Sequence, residues 1–249
     1  MEDMADSQKI LSDLNETVDQ VVTVFDSLED WGPSGNRSDQ YNSDVVADQV
    51  ITDSLVELGY RILSEESENL SGEGLVVVVD PLDGSTNASR GLPWFATSLC
   101  VVDEHGPLVA VVADLVHSVR YEVARGKGSF KDGEKLLRTD NPELSKSIIG
   151  ISGLPPHNPG WAQFRSFGAI ALDLCAIADG RLDGFVDCSP DAHGIWDYLG
   201  ALLVCAEAGV EVQDSQGRNL HMLDRSMRRT PVAGAGDLSA ELLDFRQGF

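Results

Sequence analysis

The segment from Val79 to Asn87 holds the residues whose types and spacing are best suited to chemistry. Asp80 and Asp83 stand three residues apart, after the β-branched run at 75–79, which predicts a strand buried on both faces. Hard divalent cations such as magnesium take carboxylate and backbone carbonyl oxygens as ligands, and a strand that ends in a turn can supply both. The pattern therefore predicts a cation site; the alternative is a turn whose carboxylates cap backbone N–H groups.

The residues that follow Asp83 are suited to holding a phosphate. Gly84 lets the backbone approach a ligand closely, so the amides after it can meet an anion. Thr86 offers a hydroxyl that could hold or polarise a water molecule. A cation and a phosphate side by side would be the setting for phosphoryl transfer.

Acidic residues elsewhere in the chain could complete such a site. Glu65 and Glu66 follow a predicted short strand, Asp197 stands at the start of a predicted helix, and Asp48 lies inside another helix. Each has an ordinary alternative role, namely a solvated surface patch, an acid that stabilises a helix N-terminus, or the polar face of a helix. Together they are the parts of a two-metal phosphoryl-transfer site, in which acids from several strand and helix ends meet.

The formal net charge of −23 restricts the partners of the chain. Nucleic-acid backbones and anionic membranes are bound through clustered Lys and Arg, which here number 18 against 41 acids and are scattered. We therefore expect no nucleic-acid or membrane partner, and an anionic small-molecule substrate would need a metal to be attracted. Much of the charge also fits a solubility device or adaptation to high salt.

The cysteines and the N-terminus bear on location. Cys100, Cys175, Cys188 and Cys205 form no CxxC pair, which argues for free thiols in a reducing compartment and against a zinc site. The acidic N-terminus lacks the apolar core of a signal peptide, and no apolar stretch approaches the ~20 residues that span a bilayer. These features predict a cytoplasmic protein.

Apolar periodicity and the positions of Gly and Pro divide the chain into helices and strands. Helices are predicted over 10–28, 44–58, 168–179 and 197–208, and strands over 61–64, 75–79, 97–103, 108–114, 119–124, 147–152 and 182–186. The strand at 75–79 is expected to stop at Asp80-Pro81. The mixture predicts an α/β or α+β sandwich formed by one unit, 1–249. Its α+β half, about 1–145, would carry most of the acids, and its α/β half, about 146–249, would supply Asp197.

Four segments resemble the inositol monophosphatase family. Glu65-Glu66-Ser67, Asp80-Pro-Leu-Asp-Gly-Ser-Thr-Asn87, and Trp196-Asp197 followed by Ala206-Glu-Ala-Gly209 look like its three signatures, and 171–184 is similar to the helix and strand before the last signature. The resemblance runs from about residue 10 to the C-terminus. It implies a layered αβαβα sandwich, usually a homodimer, that hydrolyses phosphate monoesters with two or three magnesium ions and is often inhibited by lithium.

The resemblance also implies a role for each matching residue. The metal ligands would be Glu65, Asp80, the Leu82 carbonyl, Asp83 and Asp197. Thr86, helped by Glu66 or Asp48, would orient and activate the attacking water. The Gly84 and Ser85 amides would hold the phosphate, and Gly168, Ala169 and Asp187 would contact the substrate. The reaction would be in-line hydrolysis by a metal-bound water, without a covalent enzyme intermediate.

The departures from the family pattern lie at substrate-facing positions. Ala88 replaces an aromatic residue, and 168–170 reads Gly-Ala-Ile where inositol-binding members tend to carry Gly, a small hydroxyl residue and Ala. Three extra residues separate Asp187 from Asp197, and Arg37 replaces a frequent Lys. Inositol 1-phosphate is the preferred substrate; fructose 1,6-bisphosphate, histidinol phosphate and 3′-nucleotide bisphosphates such as adenosine 3′,5′-bisphosphate are alternatives.

Other classes fit the residues less well. A haloacid dehalogenase-type phosphatase spaces its first aspartates as DxD, whereas the spacing here is DxxD. A non-catalytic metal- or phosphate-binding protein of the same fold is the alternative outside the enzymes, and loss of Thr86 or of one carboxylate would have favoured it. The five histidines show no paired metal-binding spacing, and His193, the nearest to the proposed site, is expected to have a loop or structural role.

Overall fold

The computed structural model describes residues 2–38 and 40–249, with side chains from residue 6 onward. The helices are α1 (Glu2–Asp26), α2 (Asn42–Glu57), α3 (Ser85–Arg90), α4 (Ile170–Ala178), α5 (Ile195–Ala208) and α6 (Leu238–Gln247), with a 3₁₀ turn at Leu144–Lys146. The strands are β1 (Arg61–Ser64), β2 (Glu68–Asn69), β3 (Val76–Asp83), β4 (Ala96–Asp103), β5 (Gly106–Asp114), β6 (Val119–Ala124), β7 (Gly128–Lys131), β8 (Glu134–Lys135), β9 (Ile148–Ser152), β10 (Gln163–Arg165), β11 (Gly184–Asp187), β12 (Val210–Asp214) and β13 (Pro231–Ala235).

The described strands form two sheets. The first has eight strands in the order β2-β1-β3-β4-β5-β6-β7-β8, and within it only the β1–β3 pair is parallel. The second has five strands in the order β10-β9-β11-β13-β12, with β9 parallel to both of its neighbours. In this second sheet the pairs made by β13 are antiparallel.

The helices and sheets alternate in five layers. Helices α1 and α2 cover one face of the first sheet, α4 and α5 lie between the two sheets, and α6 covers the outer face of the second. Successive residues of β3 show how both faces of the first sheet are buried: Val77 and Val79 pack with α1 and α2, and Val76 and Val78 with α4 and α5. This αβαβα arrangement confirms the predicted fold class.

Two elements have a boundary that differs from the predicted one by four residues or more. Helix α1 begins at Glu2 instead of residue 10, because the acidic start lacks an apolar repeat yet acids are favourable near a helix N-terminus. Strand β3 continues to Asp83 and does not stop at Asp80-Pro81. Its last pair with β1 is Val79 with Ser64. Strand β1 therefore needs no N–H donor at position 81, and proline, which has none, is tolerated there.

Two further observations concern the chain as a whole. All four cysteines are buried free thiols. Within the described residues, no helix is both long enough and apolar enough to cross a membrane.

Candidate active site

Asp80 and Asp83 lie at the C-terminal end of β3, where the pairing of β3 with β4 is irregular. Asp80 is opposite Ser98 and Asp83 is opposite Ala96, so the register shifts between them. In a regular strand, side chains three residues apart point to opposite faces, and an extra residue in the strand restores the phase. The irregularity therefore allows both carboxylates to face the same site. Both side chains are buried, at 1% and 8% exposure.

Two other acids reach the same place from different elements. Glu65 follows β1, and its backbone N–H donates to the Val79 carbonyl at 3.1 Å, which fixes it beside β3. Asp197 lies in the first turn of α5, where its carboxylate accepts the Gly194 N–H at 2.7 Å. Asp197 thus stabilises the N-terminus of α5, as its ordinary alternative role requires. The same hydrogen bond orients its carboxylate toward Glu65, Asp80 and Asp83.

The four carboxylates repel one another. Burial, followed by the charges of Glu65 and Asp83, raises the pKa of Asp80 well above its usual range. Burial and the charge of Asp197 likewise raise the pKa of Asp83 and, to about 8, the pKa of Glu65. Burial raises the pKa of Asp197 too, although His193 opposes the shift. Folding this chain therefore gathers negative charge at one point.

This donor set fits a hard cation. In the described part of the chain, no Lys or Arg forms a salt bridge with Glu65, Asp80, Asp83 or Asp197, and buried charges without partners are costly. Oxygen-only ligands suit magnesium better than zinc. Among the described residues, no three His, Cys, Asp or Glu side chains already form a closed ion cage, so side-chain rotations of these acids would accompany cation binding.

Gly84 follows the acids and begins the short helix α3. Its φ of +86° is a left-handed conformation that glycine adopts without strain. A Cβ at this position would lie 2.9 Å from the Trp94 carbonyl and 3.1 Å from the Ala169 Cβ. Both the conformation and the crowding require glycine here, next to the Ser85 and Thr86 amides.

Thr86 is exposed at the start of α3, open to ligands. Its hydroxyl is 3.2 Å from the hydroxyl of Tyr41, and this hydrogen bond is the main reason that the pKa of Tyr41 is lowered. Tyr41 directly precedes α2. The contact therefore links Thr86 to the helix that carries the two acids considered next.

The structure places Asp48 and Glu66 in different surroundings from the four clustered acids Glu65, Asp80, Asp83 and Asp197. Asp48 is buried and accepts the Ser64 hydroxyl at 2.5 Å, so the helix face that carries it is not the solvated one. Glu66 forms a salt bridge with Arg37 at 2.9 Å and accepts a hydrogen bond from Gln40. Both acids lie beside the end of β1, and both carboxylates already have protein donors.

Asp44, one helical turn before Asp48, is an acid that the sequence reasoning missed. Burial and the charge of Glu66 raise its pKa to about 7, although it accepts the Tyr41 N–H at 2.7 Å. Its charge also raises the pKa values of Glu65 and Asp80. The i, i+4 spacing of the two acids on α2 was the available signal, since it places both on one helix face.

A cavity of about 160 Å³ opens beside Asp83. Gly168 and Ala169, predicted to contact the substrate, line it together with Asp173 and His193. The chain segment before Gly168 is held beside α3, because the Asn87 side-chain amide donates to the Trp94 and Phe167 carbonyls at 2.8 and 2.7 Å. The structure thus brings Gly168 and Ala169 next to Asp83.

Asp187, the third residue predicted to contact the substrate, is fully buried and is not among the residues that line this cavity. One carboxylate oxygen accepts the Ser189 N–H at 2.9 Å, and the other contacts His193 Nδ1 at 2.8 Å. Burial alone would lower the pKa of His193, but the hydrogen bond to Asp187 and the charges of Asp197, Asp187 and Asp173 together raise it. The bond to buried Asp187 is consistent with the loop or structural role expected for His193, and His193 also lines the cavity.

Arginines surround the other side of the site, which the scattered sequence positions did not reveal. Arg225 donates to the Ser64 carbonyl at 3.0 Å and to the Glu65 carbonyl, which ties the end of β1 to the C-terminal half. The Arg228 guanidinium lies 4.9 Å from the Trp196 ring. Together with Arg37, these residues line a cavity of about 330 Å³ beside Glu65. Positive charge is thus concentrated next to the acids in a strongly acidic chain.

Comparison with known proteins agrees with this geometry. The profile of the inositol monophosphatase family matches residues 36–244. A fructose-1,6-bisphosphatase of Pyrococcus furiosus is 32% identical over 214 residues, which cover 85% of this chain and 82% of that protein. An inositol-1-monophosphatase of Mesorhizobium japonicum is 31% identical over 242 residues, covering 90% and 86%.

Solved structures show the same architecture. A Pyrococcus horikoshii protein, PH1897, described as having similarities to inositol-1 monophosphatase, superposes with a TM-score of 0.82 at 26% identity. The superposition covers 95% of this chain and 97% of the other. With the profile match over most of its length, the chain belongs to the inositol monophosphatase family and is a phosphatase, a phosphoric monoester hydrolase.

Proposed function

We propose that this phosphatase is magnesium-dependent and removes phosphate from a small polyol or sugar phosphate, with inositol 1-phosphate as the first candidate. The observation that carries the proposal is the group of four neighbouring carboxylates, Glu65, Asp80, Asp83 and Asp197. Their pKa values are all raised, with burial as the largest cause, and none of them forms a salt bridge with a Lys or Arg in the part of the chain that the structure describes. Such a group is stabilised by a bound cation. A homodimer and inhibition by lithium are proposed with it.

Magnesium at this site would neutralise charge on the phosphoryl group and lower the pKa of a water molecule. The residues of the chain do the positioning. The Gly84 and Ser85 amides would hold the phosphate, and the exposed Thr86 hydroxyl would orient the attacking water. Asp44, whose pKa is raised to about 7, is suited to accept the proton of that water near neutral pH.

The alcohol that leaves would occupy the cavity beside Asp83. An in-line displacement places the attacking and leaving oxygens on opposite sides of the phosphorus. Thr86 contacts Tyr41, which directly precedes α2, and the cavity of Gly168 and Ala169 lies beside Asp83. A cavity of about 160 Å³ limits the leaving group to a small molecule.

Fructose 1,6-bisphosphate is the second candidate substrate. The similar Pyrococcus furiosus protein carries the name fructose-1,6-bisphosphatase. Arg225 and Arg228 also supply guanidinium groups beside the acids, and guanidinium pairs well with phosphate. The ratio of kcat/KM for inositol 1-phosphate to kcat/KM for fructose 1,6-bisphosphate shows which of the two esters the site prefers.

The test is phosphate release from a panel of esters by the purified chain, with magnesium or with a chelator, at low and high salt. The panel contains inositol 1-phosphate, fructose 1,6-bisphosphate, histidinol phosphate, adenosine 3′,5′-bisphosphate and p-nitrophenyl phosphate. Magnesium-dependent release from a polyol or sugar ester supports the proposal. Release that the chelator leaves unchanged, or no release from any ester, would refute it.

A further inference from the structure

We infer that His193, held in place by Asp187, is the residue through which the protein contacts a hydroxyl group on the alcohol part of its substrate. The inference rests on the proposed phosphatase function, because it assigns the cavity beside Asp83 to the leaving alcohol. It makes His193 a specificity-determining residue for a polyhydroxylated leaving group and Asp187 a positioning residue.

The burial of Asp187 excludes it from direct contact with a ligand in this arrangement. Its side chain has no exposed surface. Both of its carboxylate oxygens accept hydrogen bonds from the protein, one from the Ser189 N–H and the other from His193 Nδ1. A substrate hydroxyl would have to displace one of these donors to reach Asp187.

His193 has the opposite properties. Its side chain is 14% exposed and lines the cavity together with Asp83 and Gly168. Its Nδ1 is occupied by Asp187, and its Nε2 makes no hydrogen bond with any residue that the structure describes. A histidine orients one ring nitrogen through the bond that the other one makes, so Asp187 leaves Nε2 as the nitrogen available to a ligand.

The backbone of His193 is fixed as well. Its N–H donates to the Arg229 carbonyl at 3.2 Å, and the Arg229 N–H donates back to the His193 carbonyl at 2.8 Å. This isolated bridge joins the segment before α5 to the segment before β13. The imidazole is thus held at both its main chain and its ring, as expected of a group that selects a ligand.

The chemistry of the ligand follows from the group that faces it. An imidazole nitrogen accepts a hydrogen bond when neutral and donates one when charged, and a hydroxyl can do the complementary thing in either case. A phosphate ester of an alcohol with further hydroxyl groups can therefore use this contact. An aryl ester such as p-nitrophenyl phosphate has no hydroxyl and cannot.

Two substitutions at position 193 separate the roles of its ring nitrogens. The Asn side-chain amide lies near the position of Nδ1, so it can still donate to Asp187 but does not reach the substrate hydroxyl. The longer Gln side chain places its amide near the position of Nε2 and can make the substrate contact. We expect His193→Asn to lower the ratio of kcat/KM for inositol 1-phosphate to that for p-nitrophenyl phosphate at least ten-fold, mainly by raising KM. His193→Gln should lower this ratio less than three-fold. Asp187→Asn, which loosens the ring but leaves it present, should lower it about three-fold or more.

The double variant shows whether Asp187 acts through His193. If it does, adding Asp187→Asn to His193→Asn lowers the ratio no further. His117→Asn is the control, because His117 makes a similar pair with Asp114 at 2.9 Å but does not line the cavity, and its ratio should match that of the wild type.

Each failure has its own signature. An unchanged ratio in a folded His193→Asn chain, or a further loss in the double variant, would overturn this inference alone. A wild-type chain without magnesium-dependent activity on either ester would overturn the proposed function and this inference with it. If His193→Asn does not fold, Asp187→Asn and His193→Gln decide, since an unchanged ratio in Asp187→Asn would contradict the positioning role.

Discussion

The ends of the two sheets hold their acids in opposite ways. At the end of the first sheet, Asp80 and Asp83 lie beside other carboxylates, and their pKa values are raised. In the second sheet, Asp214 lies beside Arg218 and three backbone N–H groups, and its pKa is lowered to about 2. Acids that the protein has paired with arginine maintain its structure, whereas acids that it has gathered without a salt-bridge partner are suited to bind a cation.

Replacing one of the gathered acids should have the largest effect on activity. Asp83→Asn is expected to reduce kcat by roughly 10³-fold or more, because it removes a charged ligand from a site that stabilises the transition state. The same change should leave the metal-free protein as stable as the wild type or more so, because it relieves repulsion from Asp197. Steady-state kinetics and thermal melting in chelator check both effects, and near-normal kcat would contradict the assigned site.

Gly84→Ala tests the backbone turn after these acids, whose amides are proposed to hold the phosphate. The new Cβ would meet the Trp94 carbonyl at 2.9 Å and would hold alanine at a φ of +86°. We expect kcat/KM to fall roughly ten- to hundred-fold and stability to fall by about 1–3 kcal/mol.

The control for this variant is Gly91→Ala at the other end of α3. Gly91 also has a positive φ, of +70°, but a Cβ there would meet no atom within 4 Å. It should show the backbone cost without the loss of activity. Equal losses of activity in the two variants would show that the crowding at Gly84 is irrelevant.

Asp44 and Asp48 provide a smaller test on a single helix. Asp44→Asn should lower kcat about ten-fold, because Asp44 is the proposed proton acceptor and lies close enough to Glu65 and Glu66 for their charges to affect one another. Asp48→Asn should change kcat less than about three-fold, since its carboxylate is committed to the Ser64 hydroxyl. Kinetics of the two variants under identical conditions decide; a larger loss in Asp48→Asn would restore the role that the sequence suggested for it.

The paired acid Asp214 should matter for stability and hardly for activity. Its folded pKa of about 2 lies below its unfolded value of about 3.9, so its contribution is fully present above pH 4 and is lost as the pH falls toward 2. Asp214→Asn should lower stability at pH 7 by about 2 kcal/mol, because the amide removes the charge that pairs with Arg218 and keeps one acceptor oxygen where the carboxylate has two. Urea melts at pH 7 and near pH 3 check this, and the difference between variant and wild type should shrink at the lower pH.

The sequence predicted those parts of the site that are close together in the chain. Asp80, Asp83 and Gly84 lie within five residues, so one motif carries their roles. The strand irregularity that turns both acids to one side depends on pairing with Ala96 and Ser98, which no local pattern expresses. The end of β3 was misplaced for the same reason, since Pro81 is tolerated only because β1 has already ended there.

The parts that depend on docking were harder to predict. Asp44 and Asp48 share a face of α2, and the position of the helix against β1 decides which acid meets the cluster. Asp187 could be identified from its spacing, but the turn between β11 and α5 brings His193 back onto it, and this contact is invisible in the sequence. Layer order was easier, because continuous apolar runs such as 75–79 already require cover on both faces.

The stability of the wild-type chain as magnesium is added tests the central claim most directly. If Glu65, Asp80, Asp83 and Asp197 lack a salt-bridge partner because they bind a cation, magnesium should raise the melting temperature in a concentration-dependent way. At a free concentration of about 100 Kd, a single site adds roughly 2.7 kcal/mol. Asp83→Asn should lose most of this gain, and Asp214→Asn should keep it. A melting temperature that magnesium leaves unchanged, or raises equally in all three proteins, would contradict the account.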